Sequence, residues 1–210
     1  MITPQEAIKK LLEGNKRFIE NKSLHPRQYD FEAKRLIKSQ NPFAIILSCS
    51  DSRVPLEIIF DQGLGDLFVI RVAGNVFDDL ALGSIEFAIK YLGTSLIMVL
   101  GHENCGAVTA SVEAVLESKQ IDDHTLSFIK KIRPAVKKVL EDQKNPLFDK
   151  KILLEEKSLF IDKVVRENVA LVVDGLKISL PVIAQLIEQK NITIVGARYD
   201  LQTRKVTLLI

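Results

Sequence analysis

The stretch SLIMVLGHENC, residues 95–105, decides the fold. It is a short, continuous apolar run that breaks off into polar residues. Such a run without alternation is the pattern of a parallel strand covered on both faces. Two further segments read the same way, FAIILSCS at 43–50 and DLFVIRVAG at 66–74. Between the second and third strands lies GSIEFAIKYLG, residues 83–93. Its Ile85, Ala88, Ile89 and Leu92 fall on one helical face and Gly93 supplies a stop, so a crossover helix joins two parallel strands.

Outward from this βαβ unit the chain becomes helical. AVTASVEAVLES after Cys105 predicts a helix, as do the patterns around 125–141 and from about 151 to 178, with Lys144-Asn145-Pro146 separating the last two. Ser179 can cap a further short helix with Pro181 in its first turn, closed by Asn191. The last segment, NITIVGARYDLQTRKVTLLI, alternates as two strands of a hairpin turning near Gln202-Thr203. At the front, Thr3-Pro4-Gln5-Glu6 forms a capping box with Pro at the first helical position. It opens a helix to about Asn21, and a second short helical pattern runs from about Asp30 to Lys38. These residues, 1–40, read as a helical arm within a single domain spanning 1–210. The fold class is α/β: a mostly parallel sheet flanked by helices, with C-terminal helices and a terminal β-hairpin.

Composition narrows the function. Net charge is +2 from 29 basic and 27 acidic residues, too balanced for a surface that neutralises nucleic-acid phosphates. No apolar run reaches membrane-span length, and the first residues lack a secretory pattern, so a cytoplasmic address is expected. Two cysteines, Cys49 and Cys105, are too few for a disulfide scaffold and suit a reducing compartment.

Both cysteines stand where a strand ends. Cys49 closes the FAIIL strand, and His102 and Cys105 begin where SLIMVL stops. Ligand sites of open parallel sheets form beyond the strand carboxyl ends, so these distant segments can converge there. Two thiolates and an imidazole suit Zn²⁺, one per chain, and three ligands leave one position open for water, as catalytic zinc requires. Asp51 and Arg53 follow Cys49 at alternate positions, where a guanidinium can lock a carboxylate in a planar pair. Two other readings fit the same residues: a purely structural metal in a dimeric interaction module, and a Cys49–Cys105 disulfide without metal.

Cys49-Ser50-Asp51-Ser52-Arg53 and Gly101-His102-Glu103-Asn104-Cys105-Gly106 resemble the paired signatures of the β-class carbonic anhydrases. LLEGNKRF, FVIRVAGN, GSIEFAI and IVGARYDLQT are similar to segments of that family, in family order. The resemblance implies an obligate homodimer or a dimer-based tetramer, with the active cleft at the dimer interface. It implies reversible hydration of CO₂ to bicarbonate, with zinc on Cys49, His102 and Cys105 and with Asp51 and Arg53 as the catalytic dyad. It further implies a substrate-binding amide at Gln40, apolar cleft walls at Phe68 and Ala73, and a backbone donor at Gly106. Hydrolysis of CS₂ or COS on the same scaffold is the alternative chemistry. Ile46 occupies a position that is Trp in a bicarbonate-regulated branch of the family, and Phe87 one that is Tyr in some members. In that branch bicarbonate binds a second site, and Arg71 resembles one residue of it. With Ile46 in place, the resemblance implies the open state, with Asp51 off the metal at neutral pH.

Overall fold

The computed structural model of the chain describes residues 2–25, 37, 39–117, 120, 121, 123–142, 152–179 and 192–210. Its sheet is built on the runs that lack alternation. β1 (Ala44–Ser48) and β3 (Leu96–His102) are buried along their whole length. They lie side by side and parallel, with Ile45 opposite Ile97 and Ser48 opposite Leu100. β2 (Leu67–Arg71) pairs with the other side of β1, and β4 (Thr193–Tyr199) runs parallel to β3. β5 (Val206–Leu208) closes an antiparallel hairpin on β4, giving the order β2-β1-β3-β4-β5. The hairpin turns where the sequence places it, because the Asp200 carboxylate accepts from the Gln202 and Thr203 N–H groups.

One expectation needs correction. β2 is an edge strand, with only Leu67 buried and Arg71 exposed, although its sequence reads as covered on both faces. A continuous apolar run does not distinguish a central strand from an edge that something outside the chain could cover.

Alternation assigns the sheet's two faces. Ile46, Met98 and Leu100 face helix α1 (Pro4–Ile19), whose Ala7 and Leu11 are fully buried among them. The Thr3 capping box forms as read. α1 is seated on the body of this chain: a Cβ on Gly14 would fall 1.8 Å from the Phe60 carbonyl oxygen. Asn15 beside it donates to the Ile59 and Arg204 carbonyls and accepts from the Val206 N–H. The helix expected over 30–38, the break at 144–146 and the short helix after Ser179 lie outside the described residues.

Short α2 (Leu56–Ile59) follows β1. The crossover helix α3 (Asp79–Leu92) is capped by the Asp78 side chain and ends at Gly93 in the left-handed conformation. It covers the opposite face, where Ile45, Leu47, Ile97 and Val99 meet its Ile85 and Ala88. Helices α4 (Gly106–Leu116), α5 (Leu126–Asp142) and α6 (Ile152–Ser179) complete the shell. The chain leaves β1 toward one side of the sheet and returns past it to β3. The carboxyl ends of β1 and β3 therefore flank a topological switch point, where crevices form in open α/β sheets.

Candidate metal centre

At that switch point Cys49, His102 and Cys105 converge, and all three are buried. Their ligand atoms lie within 4.8 Å of one another, the only such group of His, Cys, Asp and Glu among the described residues. Each is delivered by a distinct local device. Cys49 is the first residue past β1, and His102 is the last of β3. Between His102 and Cys105 the chain reverses through Asn104 in the left-handed conformation, which Asn tolerates better than most residues. Cys105 then caps α4.

The donors are arranged for a cation. His102 presents Nδ1 to the Glu103 carbonyl at 2.8 Å. Donation there fixes the tautomer and leaves the Nε2 lone pair free. That Nε2 is buried and has no hydrogen-bond partner, an arrangement that costs free energy unless something else occupies it. The two sulfurs are free thiols 3.9 Å apart. Two Zn–S bonds of tetrahedral geometry imply a separation of about 3.8 Å, whereas a disulfide requires about 2.05 Å. The residues therefore fit a Cys₂His metal and not a disulfide. Among the described residues no fourth His, Cys, Asp or Glu joins the group, which is the pattern of a catalytic rather than a structural site.

Hydrogen bonds also prepare the sulfurs. The Cys105 thiol donates to Cys49, and the Gly74 N–H approaches the same sulfur at 3.3 Å. With further help from the Asp51 N–H, and against the effect of burial, these pull the Cys49 thiol down to about 4. The Cys105 thiol is pushed up by its bond to Cys49 and by burial. Among themselves the two sulfurs thus retain one proton, which a divalent cation would displace.

Asp51 and Arg53 form the planar pair anticipated from their spacing. Arg53 donates from Nε to Asp51 Oδ1 at 2.9 Å and from Nη2 to Oδ2 at 2.7 Å. Its backbone N–H reaches Oδ1 as well, and Nη2 also meets the Asn104 carbonyl. These bonds, the Arg53 side chain first, hold the Asp51 carboxyl down at about 2. Oδ2 stands 3.8 Å from His102 Nε2, so the carboxylate sits at the mouth of the cluster and is ionised throughout the neutral range.

The remaining site residues are distributed unevenly. Ala73 opens the 3₁₀ turn Ala73–Asn75, whose Gly74 touches Cys49, and Gly106 is the first residue of α4 beside Cys105. Phe68 is elsewhere. It pairs with Ile45, three residues before the β1 end, and its ring lies 6.4 Å from Phe87 on α3. Gln40 is exposed and precedes β1, at the opposite pole of the sheet from the metal ligands. One copy of the chain therefore does not gather Gln40 and Phe68 with the cluster.

Sequence reasoning missed the structural roles of two groups. Arg71 bridges the Cys49 carbonyl at 3.0 Å and the Asp51 carbonyl at 2.6 Å, fixing the turn that carries both. Gly74 was legible only as the end of a strand-like segment, although a glycine directly after a strand is a signal of close backbone approach.

A family model described as carbonic anhydrase matches residues 44–206. A carbonic anhydrase of Mycolicibacterium smegmatis is 38% identical over 205 residues, covering 98% of this chain and 93% of its own length. Among solved structures, the β-carbonic anhydrase CafA of Aspergillus fumigatus superposes with a TM-score of 0.71 at 23% identity, over 98% of this chain and 89% of that one. A β-carbonic anhydrase from Sordaria macrospora, one of two described as tetrameric, gives 0.71 at 19% identity, over 97% of each chain.

Proposed function

Since this chain belongs to the carbonic anhydrase family and has the fold of its β class, we propose that it is a zinc enzyme catalysing the reversible hydration of CO₂ to bicarbonate and a proton. The observation that carries the reading is the buried, unpartnered His102 Nε2 facing two sulfurs, with the ionised Asp51 carboxylate at the mouth. Cys49, His102 and Cys105 would hold the metal. Bound in such a set, Zn²⁺ would lower the pKa of water to about 7 and so supply a nucleophile at neutral pH.

The chain's own residues do the rest. Asp51, kept ionised by Arg53, accepts a hydrogen bond from the attacking oxygen and turns its lone pair toward the substrate. The bidentate pair allows the carboxylate little rotation, so the acceptor is pre-positioned. The Gly106 N–H, at the start of α4, is a donor for an oxygen of CO₂ as negative charge develops on it. Ala73 forms an apolar wall. CO₂ is uncharged and a weak acceptor, so an apolar slot with one or two donors orients it and still releases bicarbonate.

A homodimer completes the slot in this reading. Among the described residues β2 leaves one sheet edge unpaired, and beside it Leu80, Phe87 and Tyr91 of α3 are exposed. Phe87 packs at 6.4 Å on Phe68 and at 5.2 Å on Tyr91, an apolar strip suited to a second copy. A two-fold axis at that edge runs the two β2 strands antiparallel, so that the starts of one copy's strands approach the carboxyl ends of the other's. Gln40 and Phe68 then belong to the partner's cleft, which accounts for their separation from the metal ligands in one chain. A tetramer would be a pair of such dimers. The reading takes residues 1–210 as one domain and, with free thiols in the site, a cytoplasmic enzyme; no helix of the described residues is long and apolar enough to cross a membrane.

The test is stopped-flow CO₂ hydration on protein of measured zinc content. The parent is expected to carry one zinc per chain and to show a rate proportional to it. Cys105→Ser is expected to lose both, and a Cys105→Ser protein that hydrates CO₂ at the parent rate would refute the assignment.

A further inference from the structure

Helix α6 makes two contacts with the metal centre that its sequence does not announce. Its Val165 and Val169 press against Gly101, the residue before His102: a Cβ there would lie 2.7 Å from Val169 Cγ2 and 3.0 Å from Val165 Cγ1. Between them on the same face is Asn168, 1% exposed and the only buried polar side chain of α6 among the described residues. Its Nδ2 donates to the Gly74 carbonyl at 2.9 Å across 94 residues of sequence. Gly74 is the residue whose N–H meets the Cys49 sulfur at 3.3 Å.

The turn in between has reason to need holding. Gly74 and Asn75 are both left-handed, at φ 73 and 47°. Such residues seldom follow one another, and for Asn the conformation is only tolerated. At the start of the turn the Asn75 N–H bonds the Val72 carbonyl at 2.9 Å. The Asn168 amide is a contact from another element that restrains the Gly74–Asn75 peptide, and with it the Gly74 dihedrals that direct the adjoining N–H. An asparagine in an apolar helix face disfavours the helix and is costly to bury unless its amide is bonded, so the bond to Gly74 is what makes its presence tolerable.

We propose that Asn168 is a positioning residue for the metal centre: through the Gly74 carbonyl it aims the Gly74 N–H at the Cys49 sulfur. α6 thereby braces both halves of the ligand set, His102 by packing at Gly101 and Cys49 by this hydrogen bond. The proposal rests on the metal reading above and goes beyond it, since Asn168 touches neither metal nor substrate. An N–H donated to a metal thiolate sets its charge and its direction, and loss of such outer partners typically weakens metal binding by about 10–100-fold.

The experiment loads the full-length protein with Co²⁺ and reads the thiolate-to-cobalt charge-transfer band together with the rate of metal release to a chelator. Asn168→Leu keeps the branched shape without the donor, and Asn168→Ala serves where the larger side chain prevents folding. Val172→Ala, a buried α6 position on the core behind the sheet, is the control for general loosening of the helix. The Asn168 variants are expected to shift the band and to release metal about 10–100-fold faster, while Val172→Ala keeps the parent band and rate at a comparable fall in melting temperature. Parent-like band and release in the Asn168 variants would overturn the proposal, as would equal changes in Val172→Ala. A parent that takes up no Co²⁺ would overturn the metal reading and this proposal with it.

Discussion

Gly74→Ala subjects the turn beside Cys49 to a measurable load. An alanine there must hold φ at +73°, which costs an L-residue about 1–2 kcal/mol. Its Cβ would stand 2.5 Å from Ile132 Cδ1 and 3.2 Å from the Ala107 Cβ. Ile132 is fully buried, so the overlap cannot be relieved into solvent and adds a further penalty of about 1–3 kcal/mol. The total, about 2–5 kcal/mol, corresponds to a fall of roughly 5–20 °C in Tm for a chain of this size. Calorimetry at fixed protein concentration and equal metal content measures it, because bound metal and oligomerisation both move Tm. A double-mutant cycle separates the two contributions. Ile132→Val, which removes the clashing Cδ1, should cost about 1 kcal/mol in the parent. In the Gly74→Ala background it should be nearly neutral, giving a coupling of about 1 kcal/mol. A Gly74→Ala protein that melts with the parent, or two changes that simply add, would refute the reasoning.

Two other expectations concern the dyad and the edge. Asp51, held at about 2 by Arg53, has a folded pKa below its unfolded one, so its stabilisation is present above about pH 4 and lost as pH falls toward 2. Arg53 is half exposed, which limits the effect to about 1 kcal/mol. Urea unfolding at stepped pH should show the parent losing about that much more across the window than Arg53→Ala, which keeps the backbone N–H to Oδ1 but not the guanidinium, and identical profiles would argue against the pair. Phe87→Glu places a charge on the exposed strip of α3 and should convert the proposed dimer to monomer by light scattering, with CO₂ hydration falling alongside. A fully active dimer would show that the second copy docks elsewhere.

Much of the fold is legible in the sequence because its signals are local. The unalternating runs gave β1 and β3, and Gly93 ends α3 where its stop was read, although the helix begins at Asp79, before the segment 83–93 that the apolar periodicity marks. The ligand set was legible for a related reason, since strand-end residues are read from the same runs. What was not legible depends on tertiary register. The run 67–71 does not say that β2 is an edge, and the spacing of Gln40 from Cys49 does not say that β1 separates them. Asn168 is a single polar residue in an apolar helix face, and nothing nearby in sequence names Gly74 as its partner.

The β2 edge also bears on how the molecule is made. Natural edge strands are usually guarded against stray pairing by charges, prolines or bulges, yet Leu67-Phe68-Val69-Ile70 carries none before Arg71. Under the proposed dimer, a newly folded single chain leaves this strip unguarded among the described residues until the second copy docks. Assembly then races aggregation, and slow or dilute expression that lets pairing keep ahead of misassociation should decide how much usable protein is recovered.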